Sequence, residues 1–180
     1  MKIDPYFWIF PEVIEPALCD VIIQRGKDLP EHQAIAGGDY QPDLRKSTVS
    51  WFDEKDWVSG IVAHYTHMAN DQAWCFDIDG IDGVQFTQYE LNEFYEAHMD
   101  TFALQNNMRK LSFVLQLSSP DDYSGGDFLF HEDDGTFTPD NFEKRGSIIV
   151  FPSFLMHQVK PVTDGERYSL VSWFTGPQMK

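Results

Sequence analysis

The feature that most constrains the fold is a change of periodicity at Val84. Before it, apolar residues recur at helical spacing; after it come short segments rich in β-branched and aromatic residues. The expected strands are 84–91, 94–100, 110–118, 127–131, 147–151, 156–161 and 167–175. Between several of them stand Ser119-Pro120-Asp121-Asp122, Gly125-Gly126, Asp133-Asp134-Gly135 and Thr163-Asp164-Gly165, which supply the backbone angles of tight turns. Upstream, Pro16 opens a helix that runs toward Gly26. A second helix is expected to start at Asp53 as its cap, with Trp57, Ile61, Tyr65 and Met68 on one face through to about Trp74. Arg45 to Trp51 adds an early strand. Two helices and then seven or eight short strands predict a mostly β fold, a double-sheet jelly roll with the helices packed on one face.

The chain of 180 residues has no internal repeat, low-complexity tract or linker, so residues 1–180 are read as a single domain. Hydrophobic residues at 42%, with 15% aromatic, are enough to build a core. The formal charge of −16 repels phosphate backbones, which argues against a nucleic-acid partner. The small basic spot Arg109-Lys110 does not reverse that. No apolar run reaches the length of a membrane span. Met1-Lys2-Ile3-Asp4-Pro5 lacks the basic region of a secretory signal, and the only cysteines are Cys19 and Cys75. Both features fit a cytoplasmic location. The oligomeric state is not legible.

Within the β region, His98-Met-Asp100, His157 and Arg167-Tyr-Ser169 bring chemistry together. Two histidines and one carboxylate are the ligand set that holds non-haem Fe(II) while leaving positions open for reactants. Residues i and i+2 of a strand share a face, so His98 and Asp100 are expected to point at one spot. His157 must then arrive from another strand. The same parity puts Arg167, Ser169, Val171 and Trp173 on one face of the last strand, lining a dry cavity with a cation at its end. A guanidinium there suits a dicarboxylate, which it grips through two parallel hydrogen bonds. Taken singly, an HxD is weak, a histidine is usually a satisfied core residue, and an arginine is usually a surface ion pair.

Other candidates fare worse. His64 and His67 share a helix face but lack a third ligand, and His32 and His131 lack partners. The run Asp77-Ile-Asp79-Gly-Ile-Asp82-Gly83 has Ile81 and Gln88 where a calcium loop needs ligands. Cys19 and Cys75 lack the surroundings of a nucleophile and read as buried thiols. Residues 36–43 read as a surface loop, with a lid over the site as the alternative.

Several stretches closely resemble the prolyl-4-hydroxylase-like branch of the Fe(II)/2-oxoglutarate dioxygenases, especially the bacterial PKHD-type hydroxylases. They are Gln85-Phe-Thr-Gln-Tyr89, Phe94-Tyr-Glu-Ala-His98-Met-Asp100, Arg109 to Ser118, Asp121 to Asp127, Gly146 to Ser153 with His157, and Gly165-Glu-Arg167-Tyr-Ser169 to Trp173. Arg45-Lys-Ser47 and Trp51 resemble the family's early strand. The resemblance implies a double-stranded β-helix with iron on His98, Asp100 and His157. It implies that Arg167 pairs with the distal carboxylate of 2-oxoglutarate, with Tyr89 and Ser169 beside it. Asp100 stands where the family's halogenases carry a small residue, which favours hydroxylation. Tyr95 is left out, because strand parity puts it opposite His98. The cofactors implied are Fe(II), 2-oxoglutarate and O2, with ascorbate as a stimulant. The implied substrate is a protein or peptide residue, proline first. Two alternatives stay open: a cupin-like metalloenzyme that does not use 2-oxoglutarate, and a non-catalytic peptide-binding module of the same fold.

Overall fold

Alternation along the β segments sorts their side chains into two cores, and those cores dictate the layers. The computed structural model describes residues 5–36, 40–101, 103–104 and 107–178. The first part of the chain forms β1 (Trp8–Phe10), α1 (Pro16–Lys27), β2 (His32–Gln33), β3 (Arg45–Lys46), β4 (Thr48–Phe52) and α2 (Trp57–Ala73). Then come β5 (Gly80–Tyr89), β6 (Phe94–His98), β7 (Ala103–Leu104), β8 (Asn107–Gln116) and β9 (Tyr123–Gly125). The last are β10 (Phe128–Glu132), β11 (Gly135–Phe137), β12 (Ile148–Pro152), β13 (His157–Val159), β14 (Val162–Gly165) and β15 (Arg167–Pro177).

An eight-stranded antiparallel sheet runs β1-β12-β8-β15-β5-β4-β2, with β7 added beside β8. A five-stranded sheet, β11-β10-β13-β6-β3, faces it, and β14 pairs with β9. This is the jelly roll, with both helices on one face. Phe86, Leu111, Phe113, Leu115, Leu170 and Phe174 form the outer face of the large sheet and pack against Cys19, Ile22, Val58 and Val62 of the helices. The opposite face meets Phe128, Phe130, Phe151 and Val159 in a second core between the sheets. That second core surrounds the site.

Both helices start and stop for local reasons. Pro16 sits in the first turn of α1, where its missing N–H is not needed, and Arg25 and Lys27 stand near the negative end of the helix dipole. Gly26 belongs to the helix itself. A Cβ there would lie 2.4 Å from Cγ of Phe86, so glycine lets α1 settle on that ring. α2 is capped by Asp56, whose carboxylate accepts from the Val58 N–H at 3.1 Å. Asp53, the expected cap, lies one turn earlier and accepts the N–H of Lys55 at 2.8 Å. Two aspartates three apart present the same signal; Asp53 closes the turn before the helix, its carbonyl accepting the Asp56 N–H at 2.9 Å, and the helix starts after Asp56. Cys75, expected to be buried, is exposed, with a left-handed φ of 50° just past the end of α2.

The expected strand from Arg45 to Trp51 is two strands. β3 joins the small sheet beside β6, and β4 joins the large sheet beside β5, so the chain changes layer at Ser47. Of the segment 36–43, residues 37–39 lie outside the described residues. No described helix is long and apolar enough to cross a membrane.

Candidate active site

His157 and His98 are direct cross-strand partners on β13 and β6, and their ring centroids lie 4.2 Å apart. Asp100 was expected on the same strand as His98, but β6 ends at His98. The turn that follows is tied down instead: the N–H groups of Asp100 and Thr101 both donate to the Ser153 carbonyl, at 2.9 and 3.0 Å. Its carboxylate therefore enters from the end of the small sheet. Asp100 Oδ1 lies 3.6 Å from His98 Nε2, and Oδ2 lies 3.4 Å from His157 Nε2. Donor atoms of the three residues all fall within 4.8 Å of one another, a spacing that a single ion can bridge. No other cluster of three such donors occurs among the described residues.

The two imidazoles are oriented by the same local device. Nδ1 of His98 lies 2.7 Å from the Glu96 carbonyl, and Nδ1 of His157 lies 2.9 Å from the Leu155 carbonyl. A carbonyl only accepts, so each Nδ1 carries the proton and each Nε2 turns a lone pair toward the centre. That is the arrangement metal-binding histidines need. Burial lowers the pKa of His98 and outweighs the pull of Asp100. Burial alone would raise the pKa of Asp100, but the neighbouring His157 and His98 hold it well below the usual carboxylate range. The carboxylate is ionised. The set fits Fe(II).

A cavity opens from this cluster between the two sheets. Its large-sheet wall is the alternating row Arg167, Ser169, Val171 and Trp173 of β15, as strand parity requires. Tyr89 lies directly across from Arg167 on β5, and Gln85 lies across from Val171. Arg167 is the largest fully buried side chain, 2% exposed, and makes no hydrogen bond or ion pair among the described residues. Its guanidinium carbon stands 5.8 Å from the Tyr89 ring. Gly126 leaves room for it: φ is +65°, and a Cβ there would lie 3.0 Å from Arg167 Cδ. The Ser169 hydroxyl and the Trp173 indole N–H are also buried without a hydrogen-bond partner among the described residues. A buried cation beside an unsatisfied hydroxyl is costly unless an anion joins them. The cavity thus has donor atoms for a metal at one place and for a carboxylate at another.

Tyr95 lines this cavity after all. Its ring stacks on His98 with centroids 3.4 Å apart. The pairing between β6 and β13 explains why: His157 faces His98, but Val159 faces Tyr95, so three steps on β6 match two on β13. The extra residue is a bulge, and it turns two side chains of opposite parity to one face. Arg45 also lines the cavity, its guanidinium 4.6 Å from the Tyr95 ring centroid. In the sequence Arg45 stands only within a stretch that resembles the family's early strand. The other histidines are ordinary: His67 packs on Phe174, His64 on Tyr65, and His131 faces the Gln158 side chain at 3.1 Å.

A family model described as the 2OG-Fe(II) oxygenase superfamily matches residues 84–175, just over half of the chain. The chain belongs to that superfamily. The matched residues begin in β5 and end in β15, so they contain every side chain of the two donor groups above. Among curated proteins, the chain is 37% identical over 97 residues to a PKHD-type hydroxylase of Prochlorococcus marinus, covering 52% of the chain and 41% of the relative. It thus spans about two-fifths of the length of the curated relatives it matches. Among solved structures, it is similar to a Pseudomonas putida prolyl-4-hydroxylase, with a TM-score of 0.75, 21% identity, and coverage of 94% and 92% of the two chains. A Trichoplax adhaerens prolyl hydroxylase, solved with a hypoxia inducible factor peptide fragment, gives 0.78 at 15% identity, covering 95% of this chain and 84% of that one. These likenesses establish the shared fold.

Proposed function

We propose that the chain is an Fe(II)- and 2-oxoglutarate-dependent dioxygenase that hydroxylates a C–H bond in a protein or peptide residue, proline first. His98, Asp100 and His157 hold the metal. Arg167, with Tyr89 and Ser169, holds the distal carboxylate of 2-oxoglutarate. The observation that carries this reading is the buried Arg167, unpaired among the described residues, opening into the same cavity as the triad. When bound, iron would supply O2 activation, with O2 as the oxidant: one oxygen atom would pass to 2-oxoglutarate, which leaves as succinate and CO2, and the other to the substrate C–H bond.

The chain's own residues do the positioning. The Glu96 and Leu155 carbonyls keep both imidazoles in one tautomer. Arg167 fixes the far end of the keto acid, which sets the orientation of its near end at the metal. Val114, Phe128 and Val159 make that part of the cavity apolar and exclude water. Two aromatic rings, each beside a guanidinium, add apolar surface to the cavity that suits a small saturated ring such as that of proline. They are Tyr95 under Arg45 and Trp173 under Arg109, the latter pair 3.9 Å apart. The names of the relatives point to the same substrate class.

The test is anaerobic addition of 2-oxoglutarate to the Fe(II)-loaded protein, followed by air and a proline-containing peptide library. The expected results are a weak visible charge-transfer band, then succinate and a peptide that has gained one oxygen atom. Iron binding without the band would favour the cupin-like reading, and His157→Ala with full turnover would remove the triad assignment.

A further inference from the structure

Asp100 is held from behind by two serines that no ligand set requires. Ser112 Oγ lies 2.7 Å from Asp100 Oδ2 and 3.0 Å from Ser153 Oγ, and both serines are fully buried. Direction follows from the donor count. An ionised carboxylate only accepts, so Ser112 gives Asp100 its single proton. The second contact must then be donated by Ser153. The result is a one-way chain, Ser153 to Ser112 to Asp100 Oδ2.

Ser153 also ties the surrounding backbone together. Its N–H donates to the Lys110 carbonyl on β8 at 2.9 Å, and its own carbonyl accepts from Asp100 and Thr101. It stands four residues before His157, at the start of the turn between β12 and β13. One residue thereby links the sheet, the Asp100 turn and the His157 turn.

Both oxygens of Asp100 face an imidazole, Oδ1 toward His98 at 3.6 Å and Oδ2 toward His157 at 3.4 Å. Without a hydroxyl behind it, either oxygen or both can reach a metal placed among the three residues. We infer that Ser112 and Ser153 are positioning residues that engage Oδ2 and leave Oδ1 as the single carboxylate donor. One-oxygen ligation keeps a further coordination position open for reactants. This inference rests on the metal-site reading above.

The experiment is an EPR-monitored Mn(II) titration of the metal-free protein, with visible spectra of the Co(II)-substituted form, for wild type, Ser112→Ala, Ser112→Thr and Ser153→Ala. Ser172→Ala is the control, since that serine is equally buried but bonds the Gly83 carbonyl at 2.7 Å. The dissociation constant for Mn(II) is expected to rise roughly 10- to 100-fold in Ser112→Ala, as loss of an outer partner typically causes. It should rise less in Ser153→Ala and return toward wild type in Ser112→Thr. The Co(II) bands should move in Ser112→Ala and not in Ser172→Ala. Wild-type affinity and bands in Ser112→Ala overturn the relay, as does a folded Ser112→Thr that loses metal as badly as alanine. If Ser112→Ala does not fold, Ser153→Ala decides, and unchanged affinity there overturns the relay. A wild-type protein that binds no Mn(II), or binds it as well after His157→Ala, overturns the metal site itself and the relay with it.

Discussion

Arg167 is buried at a cost, since an uncompensated charge taken out of water destabilises a fold by several kcal/mol. Lysine at that position keeps the charge but loses the planar fork, and with it at least one charge-assisted hydrogen bond of about 1.5–3 kcal/mol. Arg167→Lys should therefore weaken 2-oxoglutarate binding about tenfold or more while leaving iron binding near wild type. Titration of the charge-transfer band against 2-oxoglutarate measures the first, and Mn(II) affinity the second; equal cosubstrate affinity would remove Arg167 from the site. At this scale much was legible. His98, Asp100 and His157 converge, and the parity argument put Arg167, Ser169, Val171 and Trp173 on one wall, where they are. Ser112, Ser153 and Gln85 stand only inside stretches that carry the resemblance, with no role legible, because a buried serine or glutamine looks like any other until its partner is known.

Elements were legible where their periodicity ran long, and obscure where a single residue broke it. The bulge in β6 adds one residue between Tyr95 and His98, and a period-two reading then assigns Tyr95 to the wrong face. The change of layer at Ser47 hides inside what reads as one strand, and β2, β3 and β7, two residues each, are too short to show alternation. The start of α2 was misplaced by three residues, and the remedy is measurable. Asp56→Ala removes a cap and the ion pair to Arg25 of α1, and should cost about 1 kcal/mol in a denaturant titration. Asp53→Ala, which loses only a turn contact, should cost less. The reverse order would move the cap back to Asp53.

On the scale of the whole molecule, the two cores divide the labour. Phe113 packs under the helices, on the far side of the large sheet from the cavity. Phe130 lies between the sheets, cross-strand from His157 and 5.1 Å from the Phe151 ring, which itself stands 4.8 Å from His157. Both are fully buried, so Phe113→Ala and Phe130→Ala should each lose about 3–5 kcal/mol of stability. Only Phe130→Ala should also weaken Mn(II) binding, because only that cavity lets the His157 ring move. Equal metal affinity in the two variants would mean that the inner core does not brace the ligands.

The buried guanidinium of Arg167 has a consequence for traffic. A particle of net −16 repels a dianion at long range, while Arg167 attracts it at short range. Dissolved ions shorten the reach of that push to about 8 Å at physiological strength, while the sheltered final attraction is screened far less. On the function proposed above, moderate salt should therefore quicken the arrival of the keto acid, opposite to the behaviour of a basic protein that draws its anions in from afar.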